Sequence, residues 1–369
     1  SSTSRGLGDV YKRQFLGMST KFCECTLSTL YRKNHADESV AGGPMFYLQE
    51  GLARIGRPKL GNAMAKFYAL CMVIGCFGIG NMFQSNQAAV ILTSQLGEAN
   101  FAYSNILVGL ILAVTIGLVI IGGLKSIASV TSRLVPMMLV VYLALVIIAL
   151  GLNFSLVDDA FALIFSEAFT ANGVSGGVIG AMIIGFQRAV FSNEAGLGSA
   201  GIAHAAAKTD EPVTQGMVAL LEPFIDSVVV CTMTALVIVI LVIIPGEATN
   251  GISGIEMSIR AFDSAIPGSS PLLAIIATLF AFSTMLAWSY YGLIALEYLV
   301  GRSQLSSMIF RLTFLFFIVV GSAINLQSVI DISDALVFLI SIPNLIGLYL
   351  LAPEVKRELL AFQLRYSGS

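Results

Sequence analysis

Apolar windows of about 20 residues, the length a helix needs to cross a ~30 Å hydrocarbon core, recur along this chain and restrict its fold more than any motif does. They fall near 64–95, 104–123, 134–152, 174–192, 217–244, 272–299, 308–325 and 333–352, with a shorter one at 15–31. Backbone polar groups at membrane depth must be satisfied internally, so these windows predict helices and an all-α polytopic membrane protein. Composition agrees: 56% of residues are hydrophobic and 11% charged, against roughly a quarter charged in soluble domains.

Alternating the connections between two sides gives a charge test. Arg32, Lys33, Arg54, Arg57, Lys59, Lys125, Arg133, Lys208, Arg302, Lys356, Arg357 and Arg365 fall on one side. Between spans on the other side, Arg260 stands among Glu98, Asp158, Asp159, Glu167, Glu247, Asp263 and Asp331. The positive-inside rule makes the basic side cytoplasmic, which puts the C-terminus there. Residues 1–14 break the pattern with Arg5, Lys12 and Arg13 and read as a non-native tail. The expected organisation is that tail, a membrane domain over 15–355 with nine hydrophobic segments, and a cytoplasmic tail over 356–369. A net charge of −2 gives no reason to expect nucleic acid. Cys23, Cys25, Cys71, Cys76 and Cys231 lack metal-ligand spacing and read as reduced packing residues.

The run GFQRAVFSNEAGLGSAGIAHAAAK, from Gly185, breaks an apolar helix with Gln187, Arg188, Asn193, Glu194 and several glycines. Polar groups at that depth normally enclose a cavity or a binding site, which points to transport.

Six strings together resemble the alanine/glycine:cation symporter family: FLGMSTKFCECTL (15–27), GGPMFYLQEGL (42–52), GIGNMFQSNQAA (78–89), GLKSIASVTSRLVPMM (123–138), FSNEAGLGSA (191–200) and FSTMLAWSYYG (282–292). The resemblance implies a sodium-coupled amino-acid symporter of the cell (inner) membrane with the leucine-transporter-type inverted five-plus-five helix repeat. Measured against that family, the chain lacks the N-terminal helix and the first core helix, so it reads as truncated at its N-terminus.

Asn81, Gln84, Ser85 and Ala88 share one face by helical spacing. Gly75, Gly78 and Gly80 before them permit close helix approach. Gln84 offers a neutral amide to an amino acid's carboxylate or ammonium, and the glutamine of this motif lines the family's pocket. The other reading for Gln84, Asn81 and Asn86 is interhelical hydrogen bonding. Phe186 sits at the expected break with Gln187 beside it, placed to close over a small substrate or to pack. Ser283 and Thr284, adjacent hydroxyls in the place of the fold's eighth core helix, are expected at the sodium site with the Phe280 carbonyl as a third ligand. Back-bonding within the helix is the alternative.

Arg188 and Glu194 are expected in structural roles on the cytoplasmic side, a gating ion pair being the other possibility. Ser192 and Asn193 read as backbone caps, Asp226 as a hydrogen-bonded carboxylate one turn from Glu222, and Trp288, Tyr290 and Tyr291 as packing. His35 and His204 map to solvated cytoplasmic loops. Segments 157–171, 252–268 and 42–52 read as short interfacial helices, the first two a lid on the outer face. No nucleophile, base and electrophile set can be assembled, so no enzyme and no cofactor are expected beyond the coupling ion. The expected function is sodium-coupled symport of alanine or glycine through the lipid bilayer by alternating access. Proton coupling and channel-type permeation are the alternatives.

Overall fold

The computed structural model describes residues 17–35, 40–96, 103–168, 185, 188–246 and 254–366. Helix α1 covers 17–30, and a two-residue hairpin pairs Lys33–Asn34 with Val40–Ala41. Then follow α2 (Pro44–Arg54), α3 (Pro58–Ser94), α4 (Ser104–Ile121), α5 (Gly123–Leu152) and α6 (Val157–Ala168). Beyond these come α7 (188–193), α8 (Ser199–His204), α9 (Pro212–Ile243), α10 (Ile255–Ala265), α11 (Ser270–Val300), α12 (Gln304–Ala323) and α13 (Leu326–Tyr366). Seven of these, α3, α4, α5, α9, α11, α12 and α13, are long and apolar enough to cross a membrane. The protein is an all-α polytopic membrane protein.

Seven of the expected spans match these helices; six run longer than their apolar windows, and α4 stops two residues early at Gly122. Pro44, Pro58 and Pro212 open α2, α3 and α9, where a missing N–H costs nothing. Gly301, at φ +80°, closes α11. The three expected interfacial helices appear as α2, α6 and α10. Most of the expected 174–192 span lies outside the described residues, as do Phe186, Gln187 and the tail at 1–14. Past the last expected span, 356–366 continues α13 as helix.

Two apolar cores organise the bundle. One gathers α1, α2, the first part of α3, α4, the second half of α11, α12 and α13 around Tyr47, Tyr68, Trp288 and Phe314. The other joins α5, α6, α9, α10 and the start of α11 around Val146, Ile240 and Phe262. Outward faces stay apolar, with Leu118 at 72% and Tyr349 at 81% exposure, as lipid contact requires.

Three wide π turns interrupt the helices, at Gly78–Met82, Phe224–Cys231 and Val239–Ile243. The second follows Pro223, which has no N–H to continue the ladder. The first lies where α3 meets its neighbours most closely. A Cβ on Gly75 would stand 2.5 Å from Ile340, and one on Gly80 would stand 1.9 Å from Trp288.

Candidate functional site

Two cavities approach each other along α11. The first, about 480 Å³, is lined by Gln84 and Gln87 of α3, Tyr142 of α5, Asp226 of α9, Ser258 of α10 and Phe280 of α11, among others. Because it meets α10 and the start of α11, it faces the acidic end of the bundle. The second, about 620 Å³, is lined by Thr131 of α5, Glu194, His204 of α8, and Ser283, Thr284, Trp288 and Tyr291 of α11. It faces the end that carries the basic loops. Ala281 lines one and Ser283 the other, so on α11 the two linings come within two residues, about 3 Å of helical rise. Both volumes suit a small ligand.

Gln84 lines the first cavity half-buried, and its amide makes no hydrogen bond among the described residues. Asn81 does not join it, contrary to the shared face expected. Its Nδ2 donates to the Phe314 carbonyl of α12 at 2.7 Å, and it lines neither cavity. The cause is the π turn ending at Met82, whose wider i→i+5 bonds rotate side chains before it relative to those after it. Asn86 also faces α12, donating to the carbonyls of Gly321 (3.0 Å) and Ile324 (2.7 Å) at that helix's end.

Ser283 Oγ and Thr284 Oγ1 both donate to the Phe280 carbonyl, at 2.9 and 3.0 Å. These are the back-bonds within the helix that formed the alternative reading, made by two residues that line the second cavity. The carbonyl itself is engaged by both hydroxyls, so for it to bind a cation they must turn away. Among the described residues no cluster of three or more His, Cys, Asp or Glu could hold a metal. Neutral oxygens of this kind suit a hard monovalent ion, not a transition metal.

The stretch after α7 is the polar centre of the molecule. Glu194 adopts φ +55°, and Gly196 and Gly198 adopt φ +96° and +76°. At Gly198 the left-handed turn is doubly restricted, since a Cβ would meet Pro44 at 2.2 Å. Glu194 accepts from the Trp288 indole at 2.9 Å and from the Ser199 hydroxyl. The backbone N–H groups of Gly196 and Gly198 donate to Glu24 Oε1 at 2.9 and 3.2 Å, and Asn344 Nδ2 donates to the same oxygen at 2.7 Å. Asn344 also donates to the Gly196 carbonyl at 2.9 Å and accepts from Tyr47. Tyr68 donates to the Leu197 carbonyl at 2.8 Å. Glu24 is fully buried and its Oε2 has no partner among the described residues. One turn away on α1, Lys21 is fully buried as well and donates to Glu222 Oε1 at 3.1 Å.

Sequence reasoning missed Lys21, Glu24 and Asn344. A signal was present: two opposite charges three residues apart inside an apolar run demand partners. It was passed over because 15–31 is the shortest window.

Arg188 does not take the place expected for it on the basic side. It pairs with Asp334, about two turns into α13 from its acidic end, and its guanidinium stacks 5.5 Å from the Phe191 ring. Glu194 binds hydroxyl and indole donors instead of backbone or a base. His204 is not in a solvated loop but half-buried at the end of α8, with Nδ1 at 2.5 Å from Gln215 and Nε2 at 3.8 Å from Glu222. Burial pulls its pKa below the ordinary histidine value, against the pull of Glu222. Asp226 accepts from Ser192 (2.6 Å) and Ser227 (3.0 Å), as expected of a structural carboxylate. Asn193 Oδ1 accepts from Ala195 N–H at 3.0 Å, a local cap. Trp288, Tyr290 and Tyr291 are packed in the core and also wall the second cavity.

A profile of the sodium:alanine symporter family matches residues 10–367. The chain belongs to that family. The symporter is 39% identical over 349 residues to the sodium/alanine symporter AgcS of Methanococcus maripaludis, covering 94% of this chain and 75% of that one. It is 33% identical to the amino-acid carrier protein AlsT of Bacillus subtilis (91% of this chain, 69% of that one). With the probable sodium/glutamine symporter GlnT of the same organism it shares 31% identity (92% and 68%). These are transporters, and the symporter is an amino-acid:cation transporter, not an enzyme. The two cavities and the polar loop between them thus stand in a protein that moves amino acids through a membrane.

Proposed function

We propose that this symporter couples sodium to the movement of a small neutral amino acid, alanine or glycine, by alternating access between the two cavities. The observation that carries the reading is that less than one turn of α11 parts their linings. An unengaged amide, Gln84, stands on one side of it and the paired hydroxyls of Ser283 and Thr284 stand on the other. A thin wall lets a small rearrangement open one cavity and close the other, and transporters of inverted-repeat folds bind near such breaks. The resemblance to a sodium/alanine symporter supports the choice of ion and substrate. The charge asymmetry supports a cell-membrane protein with its basic end and C-terminus in the cytoplasm.

The buried pair Lys21 and Glu24, with Glu222 and His204 beside them, favours proton coupling as a second reading. Proteoliposome uptake of labelled alanine separates the two. An inward sodium gradient should drive accumulation above equilibrium, and a proton gradient alone should not. Accumulation driven by protons without sodium would establish the second reading. Equilibration with no accumulation under either gradient would make the protein a channel.

A further inference from the structure

The bundle has a third concavity, on its outer surface at the basic end. A groove of about 890 Å³ runs between α4, α11 and α12. Its walls are apolar, including Ile120, Ile121, Leu312 and Leu315, and its polar lining includes Arg302, Glu297, Ser303, Ser307 and Arg311. Ile121 and Leu312 are 70% and 61% exposed, so this surface meets lipid. Arg302 pairs with Glu297 at 3.1 Å. Arg311 is different. It is the eighth residue of α12, about 10 Å along that helix from its start, and is half-buried with no ion pair or hydrogen bond among the described residues.

A guanidinium at that depth is costly in hydrocarbon unless an anion meets it. The groove's carboxylate is held by Arg302, which leaves the site with a net positive charge and no protein anion for Arg311. A side chain of that length can extend along the helix to the headgroup layer. An apolar slot with basic groups at its mouth matches a molecule that carries phosphate above acyl chains.

We propose that this groove binds one anionic diacyl phospholipid, its phosphate between Arg302 and Arg311 and an acyl chain along the apolar wall. Tyr290 and Leu124 line both this groove and the cavity holding Ser283 and Thr284. The bound lipid therefore touches the wall of the transport path.

Native mass spectrometry of the purified chain, exposed to equal phosphatidylglycerol and phosphatidylethanolamine and then stripped with detergent, tests this without reference to transport. Wild type should keep one phosphatidylglycerol at least tenfold over phosphatidylethanolamine. R302Q/R311Q should lose at least tenfold of that retention, and R302K/R311K should restore most of it. S307W, which fills the groove while keeping both arginines, should lose it too and decides the matter if the glutamine variant does not fold. Equal retention of the two lipids, or unchanged retention in S307W, would overturn the proposal. So would displacement of the lipid by millimolar glycerol phosphate, which would mark a site for phosphate alone.

Discussion

A zwitterion brings two charges into a protein that has few to spare, and a side-chain amide answers either sign without adding a third. Gln84 is such a group, at a cavity wall and engaged with nothing described. Hydrogen bonds to charged partners contribute about 1.5–3 kcal/mol, so Gln84→Leu should weaken alanine binding roughly ten- to a hundredfold. The melting temperature should stay near wild type, because no structural hydrogen bond is lost. Calorimetric binding and a thermal melt, run together, check this; intact affinity with a lowered melting temperature would make Gln84 structural. Ser283 and Thr284 present their oxygens differently, as a pair anchored on one carbonyl. Replacing both with Ala removes two neutral ligands while the helix keeps its own bonds. The sodium concentration for half-maximal uptake should rise severalfold or more at unchanged protein abundance. An unaltered sodium dependence would leave them as back-bonded hydroxyls. Lys21 and Glu222 form an asymmetric pair, the lysine at 0% and the glutamate at 44% exposure. Removing Glu222 leaves the lysine beside Glu24, whereas an apolar substitute for the lysine strands Glu24, a fully buried carboxylate one turn away, at a cost of about 3–5 kcal/mol. Lys21→Met should therefore melt well below Glu222→Ala; the reverse order would refute the account of this cluster.

Among the elements, α3 and α11 meet at the closest contact near the site, Gly80 against Trp288. Gly80→Ala forces the indole or the backbone aside, at about 1–3 kcal/mol of overpacking. It also pulls Trp288 from Glu194, its hydrogen-bond partner. Trp288 is the single tryptophan of the chain, so intrinsic fluorescence reads this contact alone. The variant should show a red-shifted emission and a lower melting temperature, and an unchanged spectrum would mean the contact yields without moving the ring. This junction also shows where the sequence was legible. Hydrophobic windows located the long helices, and the glycines of α3 announced its close approaches. The π turn at Gly78–Met82 left no such mark, and it turned Asn81 to α12 while Gln84 went to the cavity. Spacing arguments assume a regular helix, so a wide turn defeats them. Glu24, Gly196, Gly198 and Asn344 meet across separations of 148 to 320 residues, which no local pattern encodes.

For the molecule as a whole, the claim is that two cavities at opposite ends serve one path and open in turn. Ser258 lines the cavity at the acidic end and Thr131 the one at the basic end. Cys23 and Cys231 are half-buried thiols that would compete for reagent, and the other three cysteines are buried. With Cys23 and Cys231 replaced by Ala, Ser258→Cys and Thr131→Cys report the two openings separately. The decisive measurement is the rate of maleimide labelling at each position without ligand, with sodium, and with sodium plus alanine. The account expects opposite changes: whichever condition speeds labelling at 258 slows it at 131. Rates that rise and fall together, or that ignore both sodium and alanine, would contradict it.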